Sequence, residues 1–436
     1  LTVNITKWQI FRLSLPIFFS DLAIPLVGIV DTGLMGHMEN EKFLIAVSIS
    51  TTFITMIFWS FGFLRMGTVG LVSQALGKSD YREIVLITLR NFSLAIIFSL
   101  IIMFCKNPIL DLIQNYFNTD SETQSFIKKY ITVRILSTPA ELIIYVLIGF
   151  YLGLQKTFIS SLITTFFSLA NIFLSIYFVR ELNLDILGVA LGTVVSSYLT
   201  ISIFIVYTYF FVVKNFKVLP RYQRIFSPKK LLKLFNINFD IFVRTILLTF
   251  SFLWFTYQSS LLGEEYVAIN AILLQFVIIS AFFLDAYAFS TEGVAGFLLG
   301  KKIKKAFIFL VKNSFEISFY TSLIISLIFL FLYKDIINIL TDIEYLRYLT
   351  YGFVIWIFFI PPIASFSYQY DGIFIGTSQT GALRNAMIIS VFIFIIISIE
   401  LSNNFGNNGL WLAFLLFMFF RALSLHIYFP KILKKF

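Results

Sequence analysis

Asp31 sits in the run Pro25-Leu26-Val27-Gly28-Ile29-Val30-Asp31-Thr32-Gly33-Leu34-Met35-Gly36, with no basic residue within a helical turn on either side. A charge at the centre of a bilayer costs about 2.5–3.5 kcal/mol on insertion scales, so an acid kept in such a run faces a bundle interior or a water-filled cavity. A carboxylate there, without a partner on its own helix, is a candidate proton carrier. Asn171 and Ser175 lie one turn apart on one helix face and could complete a polar pocket with it. Pro16 and Pro25 interrupt the run that carries Asp31. Each removes a backbone hydrogen bond and favours a bend, so a bend that follows Asp31 protonation would couple proton binding to cavity shape.

A second group of charges, Asp240, Arg244, Asp285, Glu292 and Asp371, lies in the later half of the chain. Asp240 and Arg244 are four apart, and the spacing predicts an ion pair on one helix face. Asp285 and Glu292 are seven apart and share a face. Asp371 falls in Tyr368-Gln369-Tyr370-Asp371-Gly372. These acids could bind a cation, carry protons or hold Arg244. Arg65, Arg90, Arg134, Glu141, Glu316 and Arg421 are read as inter-helix ion pairs and snorkelling groups, which periodicity does not sort.

The elements that must hold these residues are spanning helices. Hydrophobic residues make up 59% of the chain and charged residues 13%, with 55 Phe. Soluble domains carry roughly a quarter charged residues. A span needs about 20 apolar residues, and the 436 residues divide into twelve apolar runs, from 8–36 to 409–429. The charge of +10 sits in short breaks between these runs, which argues against nucleic acid. Basic and acidic breaks alternate along the chain. Lys78 and Arg82, Lys156, the Lys214–Lys233 stretch, Lys301–Lys305, Arg384 and Lys431–Lys435 mark one side. Glu39 and Glu41, Asp111, Asp120 and Glu122, Glu181 and Asp185, Glu264 and Glu265, and Asp335, Asp342 and Glu344 mark the other. Positive loops face the cytoplasm, which places both termini there, in an inner or plasma membrane. No cleavable signal is evident in the first run.

The chain is also a repeat. Thr68-Val69-Gly70-Leu71 through Leu76-Gly77-Lys78 recurs as Thr291-Glu292-Gly293-Val294 through Leu299-Gly300-Lys301, at an offset of 223 residues. The same offset carries Pro139, Tyr145, Gly149, Gly153 and Thr157 onto Pro362, Tyr368, Gly372, Gly376 and Thr380. Six spans per copy return the chain to its starting side, so the copies are parallel. The expected fold is an all-α polytopic membrane protein, with twelve transmembrane helices in two parallel-repeat six-helix lobes around a central cleft. The N-terminal lobe is 1–213, a basic cytoplasmic linker with Pro220 and Pro228 is 214–235, and the C-terminal lobe is 236–436. Rocking of such lobes is a route to alternating access. Gly149/Gly153 and Gly372/Gly376 read as close helix packing.

Other chemistries lack their residues. There is no GxxxxGK[ST] loop for ATP, no HExxH or CxxC, and no Cys/His cluster for a metal; Cys105 is the single Cys. No enzyme activity, cofactor or resident metal is expected. His37 and His426 are far apart.

Asp31 through His37, Gly67 through Gly77, and Leu152-Gly153-Leu154-Gln155-Lys156-Thr157 resemble the multidrug and toxic compound extrusion (MATE) family. Asp240-Ile241-Phe242-Val243-Arg244-Thr245, Asp285-Ala286-Tyr287-Ala288-Phe289 with Glu292, and Asp371-Gly372-Ile373-Phe374-Ile375-Gly376 look like its DinF branch. The resemblance runs from Trp8 to about Phe429. It implies a monomeric antiporter that exports small organic compounds, often cationic and amphipathic, as H⁺ or Na⁺ enters. It places the family's first-helix acid on Asp31 and its fifth-helix Asn on Asn171. Many relatives carry a second acid one turn after that Asn, where this chain has Ser175. Hard cations prefer carboxylate oxygens, so the departure speaks for H⁺ coupling rather than Na⁺. The competing reading is a flippase for a lipid-linked precursor, which would line its cleft with Arg or Lys. The membrane lipids are the remaining expected partners.

Overall fold

A computed structural model describes residues 5–38, 40–117, 119–217 and 225–436. Glu39, Pro220, Arg221 and Arg224 lie outside the described residues. The chain folds as α1 (Lys7–Gly36), α2 (Glu41–Ser60), α3 (Phe63–Gly77), α4 (Tyr81–Phe104), α5 (Lys106–Tyr116), α6 (Ser121–Arg134), a 3₁₀ turn (Ile135–Ser137) and α7 (Thr138–Gly153). It continues with α8 (Thr157–Arg180), α9 (Asp185–Phe216), α10 (Pro228–Leu262), α11 (Glu264–Lys301) and α12 (Lys304–Leu340). It ends with α13 (Glu344–Tyr351), α14 (Val354–Gly376) and α15 (Thr380–Leu433). Among the described residues there is no strand.

Ten helical stretches are long and apolar enough to cross a membrane, with α2–α3 and α6–α7 each counted as one. The pair α13–α14, bent by 55°, is an eleventh. At 54 residues α15 is far longer than one span, and it breaks at Gly406, where φ is 57° and ψ −138°. That backbone region is open to glycine and closed to other L-residues. With α15 divided there, the described residues hold twelve spans, six before Lys217 and six after it. Phe104, Ile339 and Phe331 are 84%, 83% and 82% exposed, which suits lipid and would be costly in water.

The chain forms two compact units, Pro16–Phe235 and Leu1–Leu15 with Asn236–Phe436. α1 therefore changes unit at Pro16, within one continuous helix. Its first turns are held by the later half: Lys7 pairs with Glu316 of α12 at 2.5 Å, and Asn313 Nδ2 donates to the Ile5 carbonyl at 2.6 Å. The expected linker at 214–235 is helical at both ends, since α9 runs to Phe216 and α10 starts at Pro228. Glu83 of α4 holds it by accepting from Lys230 at 3.1 Å and from Arg90 at 3.0 Å. Arg90 Nε also donates to the Ile225 carbonyl at 2.9 Å.

The repeated glycines make the repeated contact. A Cβ on Gly149 would lie 2.5 Å from the Arg65 carbonyl oxygen, and one on Gly153 would collide with Val72 and the Val69 carbonyl. In the second unit a Cβ on Gly372 would lie 2.5 Å from the Ala288 carbonyl oxygen, and one on Gly376 would strike the Glu292 carbonyl. Arg65 and Ala288 are 223 apart, as are Val69 and Glu292. Small residues let α7 lie on α3, and α14 on α11, at backbone distance.

Candidate functional site

In the Pro16–Phe235 unit α1, α8 and α9 bring together a polar cluster. Asp31 is 5% exposed, and Asn171 and Ser175 are fully buried. Asn171 Nδ2 donates to Thr193 Oγ1 of α9 at 2.8 Å. The Ser175 hydroxyl donates to Asn171 Oδ1 at 3.5 Å and lies near enough to the Asp31 carboxylate to act on its charge. Asp31 Oδ1 is buried without a protein partner among the described residues. The three sequence candidates thus meet, and Thr193 joins them. The close approach of α8 and α9 makes this possible: a Cβ on Gly192 would lie 2.5 Å from Ser175 Oγ.

Arg134, at the end of α6, is a neighbour that no spacing along α1 could disclose, since its charge reaches Asp31 across the bundle. It is held by Glu141 of α7 at 2.5 and 3.3 Å and by Ser137, and it stacks 5.0 Å from the Phe58 ring centre. Tyr130 lies in the field of Asp31, Arg134 and Glu141. The seven-residue spacing of Arg134 and Glu141 was the available signal.

In the other unit the pairing differs from the i, i+4 expectation. Asp240 accepts from Arg384 at 2.6 Å and from Thr380 Oγ1 at 2.9 Å, both on α15. Arg244 instead bonds Asp371 of α14, and Arg421 of α15 bonds the same carboxylate oxygen. A partner on another helix wins because burial fixes both side chains, whereas an i, i+4 pair is worth only about 0.2–0.5 kcal/mol. Arg421 lies 5.7 Å from the Tyr368 ring centre, and Tyr368 also feels Asp285 and Asp371. Glu292 is 1% exposed. Thr291 Oγ1, beside it, donates to Gln369 Oε1 at 3.3 Å. Among the described residues no three His, Cys, Asp or Glu gather as they would around a metal ion.

The repeat continues into these sites. At the offset of 223, Asp31 maps onto Trp254 and Ser175 onto Ser398. Trp254 Nε1 donates to Ser398 Oγ at 2.9 Å. The two units keep the serine and set a carboxylate near it in one and an indole on it in the other.

A family model described as MatE matches residues 16–177 and 241–400. The chain belongs to the MATE family. DNA damage-inducible protein F of Escherichia coli is 28% identical over 416 residues, covering 95% of this chain and 90% of that protein. Multidrug export protein MepA of Staphylococcus haemolyticus is 26% identical over 194 residues, 44% of this chain and 43% of its own. A MOP superfamily transporter of Pyrococcus furiosus has a TM-score of 0.87 at 16% identity, with 99% of this chain and 97% of that chain covered. A MATE transporter of Vibrio cholerae gives 0.86 at 16% identity, covering 98% and 97%. As a MATE protein the chain is a polytopic membrane transporter and not an enzyme.

Proposed function

We propose that this chain exports small organic compounds, cationic or amphipathic, from the cytoplasm in exchange for H⁺, by alternating access of two six-helix lobes, 1–213 and 236–436. The reading rests on Asp31: a buried carboxylate beside an amide and two hydroxyls, within reach of the Arg134 charge, with one oxygen lacking a protein partner among the described residues. Such a group can take up a proton and release it. A single carboxylate is a poor cage for Na⁺, which favours several oxygen ligands. The printed name of MepA, a multidrug export protein, supports the substrate class. The alternation of basic and acidic breaks supports a cytoplasmic position for both termini.

Asp31 would load and unload the proton, Asn171, Ser175 and Thr193 would orient it, and Pro16 and Pro25 would let α1 bend in response. Efflux from reconstituted vesicles under an imposed pH gradient or an imposed Na⁺ gradient tests this. The expected result is pH-driven efflux that Asp31→Asn abolishes. Na⁺-driven efflux without pH dependence, or full pH-driven efflux in Asp31→Asn, would overturn the assignment. Replacing both prolines with Ala should slow transport; unchanged transport would remove the bend from the mechanism.

A further inference from the structure

We propose that the Pro16–Phe235 unit binds the phosphate headgroup of an anionic phospholipid where α4 meets the entry to α10, with the lipid's acyl chains lying along Leu232 and Phe235. The site rests on the membrane assignment and on its own geometry, and not on the export reading above.

An open cavity of about 530 Å³ lies between the start of α4, with Arg82, Glu83 and Arg90, and the entry to α10, with Phe226 and Lys230. Clefts of about 300–1,000 Å³ are of the size that holds a small ligand. Two acids border it, and both are engaged inside the protein. Asp80 Oδ1 accepts from the Glu83 backbone nitrogen at 2.9 Å, at the start of α4. Glu83 accepts from Arg90 at 3.0 Å and from Lys230 at 3.1 Å. Arg82 and Lys229 make no ion pair among the described residues. On the cavity wall and the first turns of α10, the bases Arg82, Arg90, Lys229, Lys230 and Lys233 stand against Asp80 and Glu83, an excess of three positive charges. The whole stretch 214–235 adds no acid.

Clusters of about 4–8 Lys and Arg beside a spanning helix attract anionic lipid headgroups. The neighbouring side chains select a lipid over a soluble anion. Phe226, Leu232 and Phe235 are 63%, 62% and 50% exposed. Leu232 lies one turn on from Lys229, and Phe235 one turn on again, along a helix long and apolar enough to cross the membrane. A headgroup at the basic turn therefore sets its chains against these apolar side chains, which a free phosphate would leave bare. The second copy supplies the contrast. At the offset of 223, Lys78 and Arg82 map onto Lys301 and Lys305, while Asp80, Glu83 and Arg90 map onto Ile303, Ala306 and Asn313. That break keeps the bases and lacks the acid that gathers Arg90 and Lys230 on one wall.

The test follows the melting temperature of the purified full chain in maltoside micelles. Dioleoyl phosphatidylglycerol, dioleoyl phosphatidylcholine and glycerol phosphate, the headgroup without chains, are titrated separately. Phosphatidylglycerol should reach half its effect at a mole fraction at least about tenfold lower than phosphatidylcholine. Glycerol phosphate should raise the melting temperature far less at the same concentration. Arg82→Gln with Lys229→Gln should remove most of the lipid preference, whereas Lys304→Gln with Lys305→Gln, at the equivalent break, should keep it. Leu232→Ser with Phe235→Ser should bring the response to phosphatidylglycerol down towards that to glycerol phosphate. Equal responses to the two lipids in the wild type overturn the proposal, even if the Arg82 and Lys229 double variant does not fold. A preference lost as fully in the Lys304 and Lys305 variant overturns it as well, since the general field of the basic side would then explain it. So does glycerol phosphate as effective as phosphatidylglycerol, which would make this a site for soluble phosphate. No arm uses an ion gradient, so failure here leaves the export reading standing.

Discussion

Gly192→Ala is a one-carbon test of the Asp31 cluster that leaves every ionisable group in place. The added Cβ would stand 2.5 Å from Ser175 Oγ, 2.8 Å from its backbone nitrogen and 2.9 Å from its Cα. Ordinary carbon contacts begin near 3.4 Å, so α8 and α9 must part by several tenths of an ångström to roughly 1 Å. A rotamer change cannot relieve this, since two of the three atoms are backbone. Overpacking of this kind costs about 1–3 kcal/mol. The same shift carries Ser175 away from Asp31 and Asn171, so the pH dependence of efflux should change with stability. Gly33→Ala is the control: it lies half a turn from Asp31, but its Cβ would meet nothing within 4 Å. The assays are thermal unfolding in detergent and pH-driven efflux at several pH values. A Gly192→Ala protein with wild-type melting and a wild-type pH profile would refute the claim that this helix contact positions the site.

Glu141→Gln should cost about 3–5 kcal/mol by leaving the Arg134 guanidinium buried with a neutral partner, and Arg134→Met with Glu141→Leu should recover much of it; a double variant no better than the single would contradict the ion-pair reading. Gly406→Ala should destabilise by about 1–3 kcal/mol through backbone strain alone, because its Cβ would have open space; unchanged melting would mean the break in α15 can adopt other angles. At the loop before α6, the hydrogen bond from Lys42, 2.8 Å away, holds Asp120 well below the usual carboxylate range. A lowered folded value adds stability above the unfolded value, about 3.9, and loses it as pH falls through the folded one. Lys42→Met should therefore melt slightly earlier than wild type at neutral pH, with the gap closing in strong acid; a gap that widens on acidification would refute the sign.

Much of the molecule was legible from residue order. Apolar runs and their charged breaks disclosed spanning helices because a bilayer admits little else. The offset of 223 disclosed the repeat, and the Gly-xxx-Gly pairs disclosed close packing, which the structure places at equivalent carbonyls, Arg65 with Ala288 and Val69 with Glu292. The isolation of Asp31, and the shared face of Asn171 and Ser175, are properties of one helix each and follow from its period. The break of the last helix at Gly406 was also marked, by the polar stretch between the final two apolar runs.

The pairing of charges was not legible. Arg244 and Asp240 look like partners along α10, yet their partners lie on α14 and α15, 127 and 144 residues away. Arg134 approaches Asp31 from another helix. Periodicity tells which face a side chain is on, and only packing tells which helix covers that face. Residue order determined the scaffold and its duplication. Tertiary structure decided that one copy sets a carboxylate, Asp31, near Ser175, and the other bonds an indole, Trp254, to Ser398. It also decided that two buried arginines converge on Asp371. Burial makes such cross-helix contacts strong, and their partners are far apart in the chain, so no local pattern records them.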